Sequence, residues 1–178
     1  MKEVAYSATF CFHGIGALTR LKGLKPLPVK GEKMTHEDAG HYAAKHPAET
    51  QPDPQIARAV KKKVSDGGIA CATAFKIASD LNVPPASVGV VIDLLEVRIE
   101  KCQLGLFGYS PGKRIVKPAE NVSPRLAEAI KGSLVGNCLP CASSWEIAKK
   151  FGLAKMDVSA ACEALKIKIS SCQLGSFR

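Results

Sequence analysis

Aromatic residues are scarce in this chain of 178 residues: six Phe, three Tyr and one Trp make up 6% of it. A ring-rich core is therefore excluded. Burial falls to Val, Ile, Leu and Ala within an apolar fraction of 46%. Long apolar runs are missing too. No stretch approaches the ~18 residues of a membrane-spanning helix, so no membrane association is expected. Histidine does not recur after His46, which removes Ser-His-Asp and Cys-His sets from the rest of the chain. The glycines are scattered and form no phosphate-cradling loop. These absences argue against an enzyme. The opening MKEVAYSATFCFHGIGAL is a poor secretion signal, because His13 and two glycines interrupt it and no small-residue cleavage site follows. A cytoplasmic protein is expected.

Positive charge and cysteine are in surplus. The formal net charge is +9. Residues 1–53 carry seven basic and six acidic side chains, 54–108 seven and five, 109–123 three and one, and 124–178 eight and four. The excess thus lies in the third and fourth of these segments. It suits a polyanionic partner such as nucleic acid, and it also keeps a protein soluble. Seven cysteines are an odd number. In a chain that reads as cytosolic they point to free thiols, metal ligands or redox chemistry rather than a disulfide framework.

The chain repeats itself. KCQLGLFG at 101–108 returns as SCQLGSFR at 171–178, and a shift of seventy aligns 54–108 with 124–178 without a gap; 16 of the 55 pairs are identical. A duplicated unit of this length is a small domain, not a solenoid repeat of ~20–50 residues. The organisation is then an irregular amino-terminal extension and linker (1–53), a first unit (54–108), a linker (109–123) and a second unit (124–178). Residues 1–33 are basic and broken by Pro and Gly, and order is not expected there. Met34 reads like a natural amino terminus. Thr35 to Lys45 could form one short helix.

Each unit opens with a cap and a proline, Asp53-Pro54 and Ser123-Pro124. Ile56, Ala57, Val60 and Val64, matched by Leu126, Ala127, Ile130 and Leu134, predict a first helix ending near Gly67-Gly68 or Gly136-Asn137. Thr73 or Ser143 can cap a second helix, Ser143 with Glu146 as a capping box, ending at Asn82 or Gly152. Ser87 or Asp157 can cap a third. VRIEKCQLGLF and IKISSCQLGSF then read as a strand or hairpin, with Gly105 permitting a bulge or tight turn.

FKIASDLNVPPASVGVVIDLL and WEIAKKFGLAKMDVSAACEAL resemble a helix-turn-helix core. Ala78 or Ala148 lets the third helix approach, Asn82 or Gly152 makes the turn, and Val88 or Val158 plugs into the core. With the flanking helix and hairpin, each unit resembles a winged-helix domain. The expected fold class is mainly α with short β hairpins, in tandem winged-helix-like repeats. The resemblance implies a DNA-binding, transcription-regulator-like protein whose third helix enters the major groove. The residues it nominates for nucleic acid are Ser87, Lys155 and Ser159 on the third helices, with Lys113, Arg114, Lys149 and Lys150 for phosphates. Only Lys155 has the chemistry of a base reader, and Asp93 and Glu163 would face phosphate. The other reading is a protein-interaction module or self-association through the apolar third helices, around Val90, Val91 and Ala160-Ala161-Cys162, with the fold used as a scaffold.

Cys71 and Cys141 precede the second helices, whereas Cys102 and Cys172 follow the third. Each pair is expected to be neighbours if the two short strands pair. CLPC at 138–141 adds a C-x-x-C turn, so Cys138, Cys141 and Cys172 are candidate ligands of a metal ion or cluster, or Cys138 and Cys141 a redox pair. Core packing of small apolar thiols is the plain alternative.

Overall fold

A computed structural model describes residues 40–177. The expectations for 1–33 and Met34, and the first five residues of the short helix expected over Thr35 to Lys45, lie outside that range. A 3-10 helix, Tyr42–Lys45, comes first. The first unit contains α1 (Pro54–Lys61), β1 (Gly68–Ala70), α2 (Cys71–Asp80), α3 (Pro85–Leu94) and β2 (Arg98–Glu100). The second contains α4 (Pro124–Gly132), β3 (Cys138–Pro140), α5 (Cys141–Phe151), α6 (Lys155–Ala164) and β4 (Lys168–Ser170). Every element starts seventy residues after its counterpart. The described chain is mainly helical with a few short strands.

The opening caps form as expected. Asp53 accepts from the N–H groups of Gln55 and Ile56 at 2.8 and 3.0 Å, with Pro54 in the first turn. Ser123 accepts from Leu126 N–H at 3.3 Å. Helix α1 buries Ile56, Ala57 and Val60 but stops at Lys61, short of the expected glycines. Those glycines belong to a turn. Asp66 and Gly67 have φ of 51° and 71°, and Gly136 and Asn137 have 57° and 66°, the two left-handed positions of a type I′ turn.

The second and third helices begin earlier than their expected caps. Cys71 and Cys141 continue directly from the strands, with Ala70 and Pro140 in cap position and no side-chain cap. Ser143 is therefore inside α5 and forms no capping box. Pro85 opens α3 and puts Ser87 in its first turn. In α6, Asp157 accepts from Ala154 N–H at 3.0 Å. Asn82 and Gly152 turn the chain left-handed, with φ of 53° and 64°.

The expected hairpins are not the pairing observed. β1 pairs with β2, and β3 with β4, in parallel, Ile69 opposite Ile99 and Leu139 opposite Ile169. The strand after the third helix thus finds the strand before the second helix. Beyond it the chain folds into a closed loop. Cys102 N–H donates to Phe107 O at 3.2 Å and Gly105 N–H to Cys102 O at 2.8 Å; the counterparts, Cys172 to Phe177 O and Gly175 to Cys172 O, are both 2.9 Å. Gly105 and Gly175 supply φ of 74° and 76°, which glycine adopts at no steric cost.

Each unit has its own apolar centre. Val60, Val88 and Ile92 in the first, and Ile130, Leu139 and Val158 in the second, are fully buried. Leu174 and Cys172 of the second unit pack against the first unit's cluster. The two units therefore share side chains.

Candidate functional site

The shared region is a seam in which equivalent residues meet. Phe75 lies against Trp145 with ring centroids 4.3 Å apart, and Phe107 meets Phe177 edge-on at 6.0 Å. Each partner is the other's equivalent, seventy residues on. Such self-pairing marks an isologous, twofold contact like that of a symmetric dimer, here inside one chain. Around this local axis the loop of each unit packs on the other. A Cβ at Gly89 of α3 would stand 2.1 Å from the Leu174 carbonyl oxygen, and one at Gly105 3.2 Å from Met156 Sδ of α6. Gly89 is thus what lets the second unit's loop reach α3.

Four thiols line one small cavity on the axis: Cys71, Cys102, Cys141 and Cys172. Its volume is about 10 Å³, at the limit for a single water, and its lining is mostly apolar. The strand pairing brings Cys71 to Cys102 and Cys141 to Cys172, as the sequence spacing anticipates. The twofold then brings the pairs together. Gln103 Nε2 points at Cys71 Sγ (3.8 Å) and Gln173 Nε2 at Cys141 Sγ (3.6 Å). Burial holds three of them protonated: it pushes Cys71 up to about 11 and raises Cys102 and Cys141. Protonated, buried thiols are poor nucleophiles.

Cys138 does not join this group. It is disulfide-bonded, whereas Cys141 is free, so the C-x-x-C pair does not close on itself. Cys138 brings no free thiol to Cys141 and Cys172. Among the described residues no three His, Cys, Asp or Glu side chains form a metal-holding group.

The proposed DNA-contacting residues divide into two sets. Lys113, Lys149 and Lys150 are exposed. The others are paired or partly covered. Lys155 donates to Gln103 Oε1 at 2.7 Å and sits 3.2 Å from the Trp145 ring centroid. Desolvation lowers its pKa. Ser159 is buried, at 1% exposure, and its hydroxyl has no partner among the described residues. Ser87 is half-buried. Arg114 pairs with Glu163 at 3.3 Å.

Compared with protein-family models, curated proteins and solved structures, the chain matches none.

The third helices are also strapped from outside. Lys45 Nζ lies 2.6 Å from Asp93 Oδ1, with His46 Nε2 at 3.0 Å from Oδ2. Tyr42 and Ala43 N–H donate to Glu96 at 2.8 and 2.9 Å. Equivalently, the linker lies on α6: Ala119 N–H donates to Ala160 O at 2.9 Å, and Val116 is buried. Asp93 and Glu163, which would repel phosphate, are thus used internally. Sequence reasoning missed Gln103, Gln173, Phe107 and Phe177 as seam residues. The signal was present, since the CQLG-x-F string is the best-kept stretch of the duplication. Among the described residues no helix is long and apolar enough to cross a membrane.

Proposed function

We propose that this chain is a non-catalytic binding protein: two winged-helix-like units fused into an intramolecular dimer and used as a scaffold for protein partners. The order of helices and strands in each unit supports the winged-helix likeness, although the parallel pairing departs from a hairpin wing. One observation carries the scaffold reading. The outer faces of α3 and α6 are occupied, by the partner unit's loop at Gly89 and by the straps at Asp93 and Glu163. A helix so covered offers few side chains to base edges.

The surplus of +9, with exposed Lys113, Lys149 and Lys150, favours a second reading: a transcription-regulator-like protein that holds DNA by its phosphates. Selection of duplexes from a random pool by the full chain separates the two. The scaffold reading expects no enriched sequence, and expects Lys155→Ala to lower stability without altering duplex affinity. Any residual binding would fall steeply with salt and track Lys149 and Lys150. An enriched sequence whose affinity drops by about 1–3 kcal/mol on Lys155→Ala would overturn it, because base contacts of that size need a free reading helix.

A further inference from the structure

We infer that the axial cavity is an oxidative modification site, at which a peroxide closes a disulfide between Cys172 and Cys102 and joins the two units covalently. The inference rests on the seam and holds whichever partner the surface binds.

Four free thiols line one cavity. They also lie near enough to feel one another's charge: Cys172 acts on Cys71, Cys102 and Cys141 alike. They are not equivalent. Cys71, Cys102 and Cys141 are buried, while Cys172 is only half-buried, so an oxidant from solvent meets Cys172 first. Cys71 and Cys141 each open a helix and each accept a glutamine N–H. Cys102 and Cys172 sit instead on equivalent loops that meet at the axis through Phe107 and Phe177. Backbone N–H groups of Leu104, Leu106 and Gly105 turned towards Cys102 favour its thiolate and oppose the desolvation that raises its pKa. The meeting of the two equivalent loops at the axis makes Cys102 the resolving sulfur.

The chemistry balances in two steps. The Cys172 sulfur attacks one peroxide oxygen; the O–O bond breaks, water or an alcohol leaves, and Cys172 becomes a sulfenic acid, oxidised by two electrons. The Cys102 sulfur then attacks the Cys172 sulfur; the S–O bond breaks, the S–S bond forms, and hydroxide leaves with the Cys102 proton as water.

Tryptic cleavage places the four thiols on separate peptides: Cys71 on 64–76, Cys102 on 102–113, Cys141 on 132–149 and Cys172 on 169–178. The full chain is treated with hydrogen peroxide, its remaining thiols are alkylated, and the digest is mapped by mass. The expected product is 102–113 joined to 169–178, lighter than the two together by ~2 Da and split by reductant. Oxidation should also raise the Tm, and Cys102→Ala should remove both the joined peptide and the rise, leaving a sulfenic acid at Cys172 that dimedone traps. Cys172 joined to 132–149 or 64–76, over-oxidised without a partner in the wild-type chain, or unreacted would overturn the assignment. The wild-type map alone decides this, so a poorly folding variant does not blunt the test.

Discussion

The two units share one plan but close the seam differently. In the first, α3 presents Gly89, and the Leu174 backbone settles against it tightly enough that Leu174 joins the first unit's core. In the second, the equivalent position is Ser159, and Leu104 packs instead with Cys102 and Cys141. A single missing side chain thus decides which loop becomes part of the other unit's interior. The straps differ as well. Asp93 is 4% exposed and meets two basic side chains, whereas Glu163 meets Arg114 at 3.3 Å near the surface. The first unit is held by buried polar contacts, the second by looser ones.

Making the units alike at the seam should have the largest effect. Gly89→Ser puts a Cβ where the Leu174 carbonyl oxygen stands, 2.1 Å away. Backbone must move, at a cost of about 3 kcal/mol or more. Ser159→Ala should be neutral or slightly stabilising, because it removes a buried hydroxyl that has no partner among the described residues. Urea unfolding of both variants checks the contrast. Equal, small losses would mean that the loop is not held at Gly89.

Removing the strap anchors should come next. Asp93→Ala leaves the Lys45 and His46 side chains without the acceptor they share, and should cost about 2 kcal/mol. Glu163→Ala breaks an exposed pair and should cost less than about 1 kcal/mol. Amide hydrogen exchange locates the difference: protection should fall over residues 42–46 in the first variant, with little change over 114–119 in the second. The reverse pattern would place the firmer strap on the second unit.

How far the sequence foretold this depends on the range of the interaction. The duplication, the proline-opened helices and the left-handed turns at Asn82 and Gly152 are local, and each was legible in residue types. So was the closeness of Cys71 to Cys102, since it needs only one pairing of short strands. Parallel pairing was not legible, because three-residue strands such as Arg98–Glu100 carry no periodicity that tells a hairpin from a crossover. The caps expected at Thr73 and Ser143 failed because the strands run straight into the helices and leave no turn to cap. The seam was hidden for a deeper reason. Leu174 counts as core only when the other unit is in place, and nothing within its own repeat says so. Lys155 looked like a base reader for the same cause; its ring partner Trp145 and its acceptor Gln103 come together only in the folded seam.

The smallest contrast lies in the buried thiols. The second unit has Cys162, 1% exposed, where the first has Ile92, and burial pushes Cys162 up to about 12. Cys71 is pushed up to about 11. A raised thiol pKa means that the folded chain holds its proton more tightly than the unfolded one. Below the ordinary value of 9.0 both states are protonated and the full stability is present. Above it the unfolded chain ionises first, so stability falls as pH rises towards 11 for Cys71 and 12 for Cys162. Each such thiol contributes up to about 1.4 kcal/mol per pH unit in that window. Cys162→Ala creates a small cavity and lowers stability at pH 7 by about 1 kcal/mol, yet it should flatten the alkaline slope by one thiol's share. Urea unfolding at pH 7 and pH 10 separates the two effects, since only the second depends on pH. An unchanged slope would mean that Cys162 ionises as freely folded as unfolded, and that the second unit's core admits water where the first unit's does not.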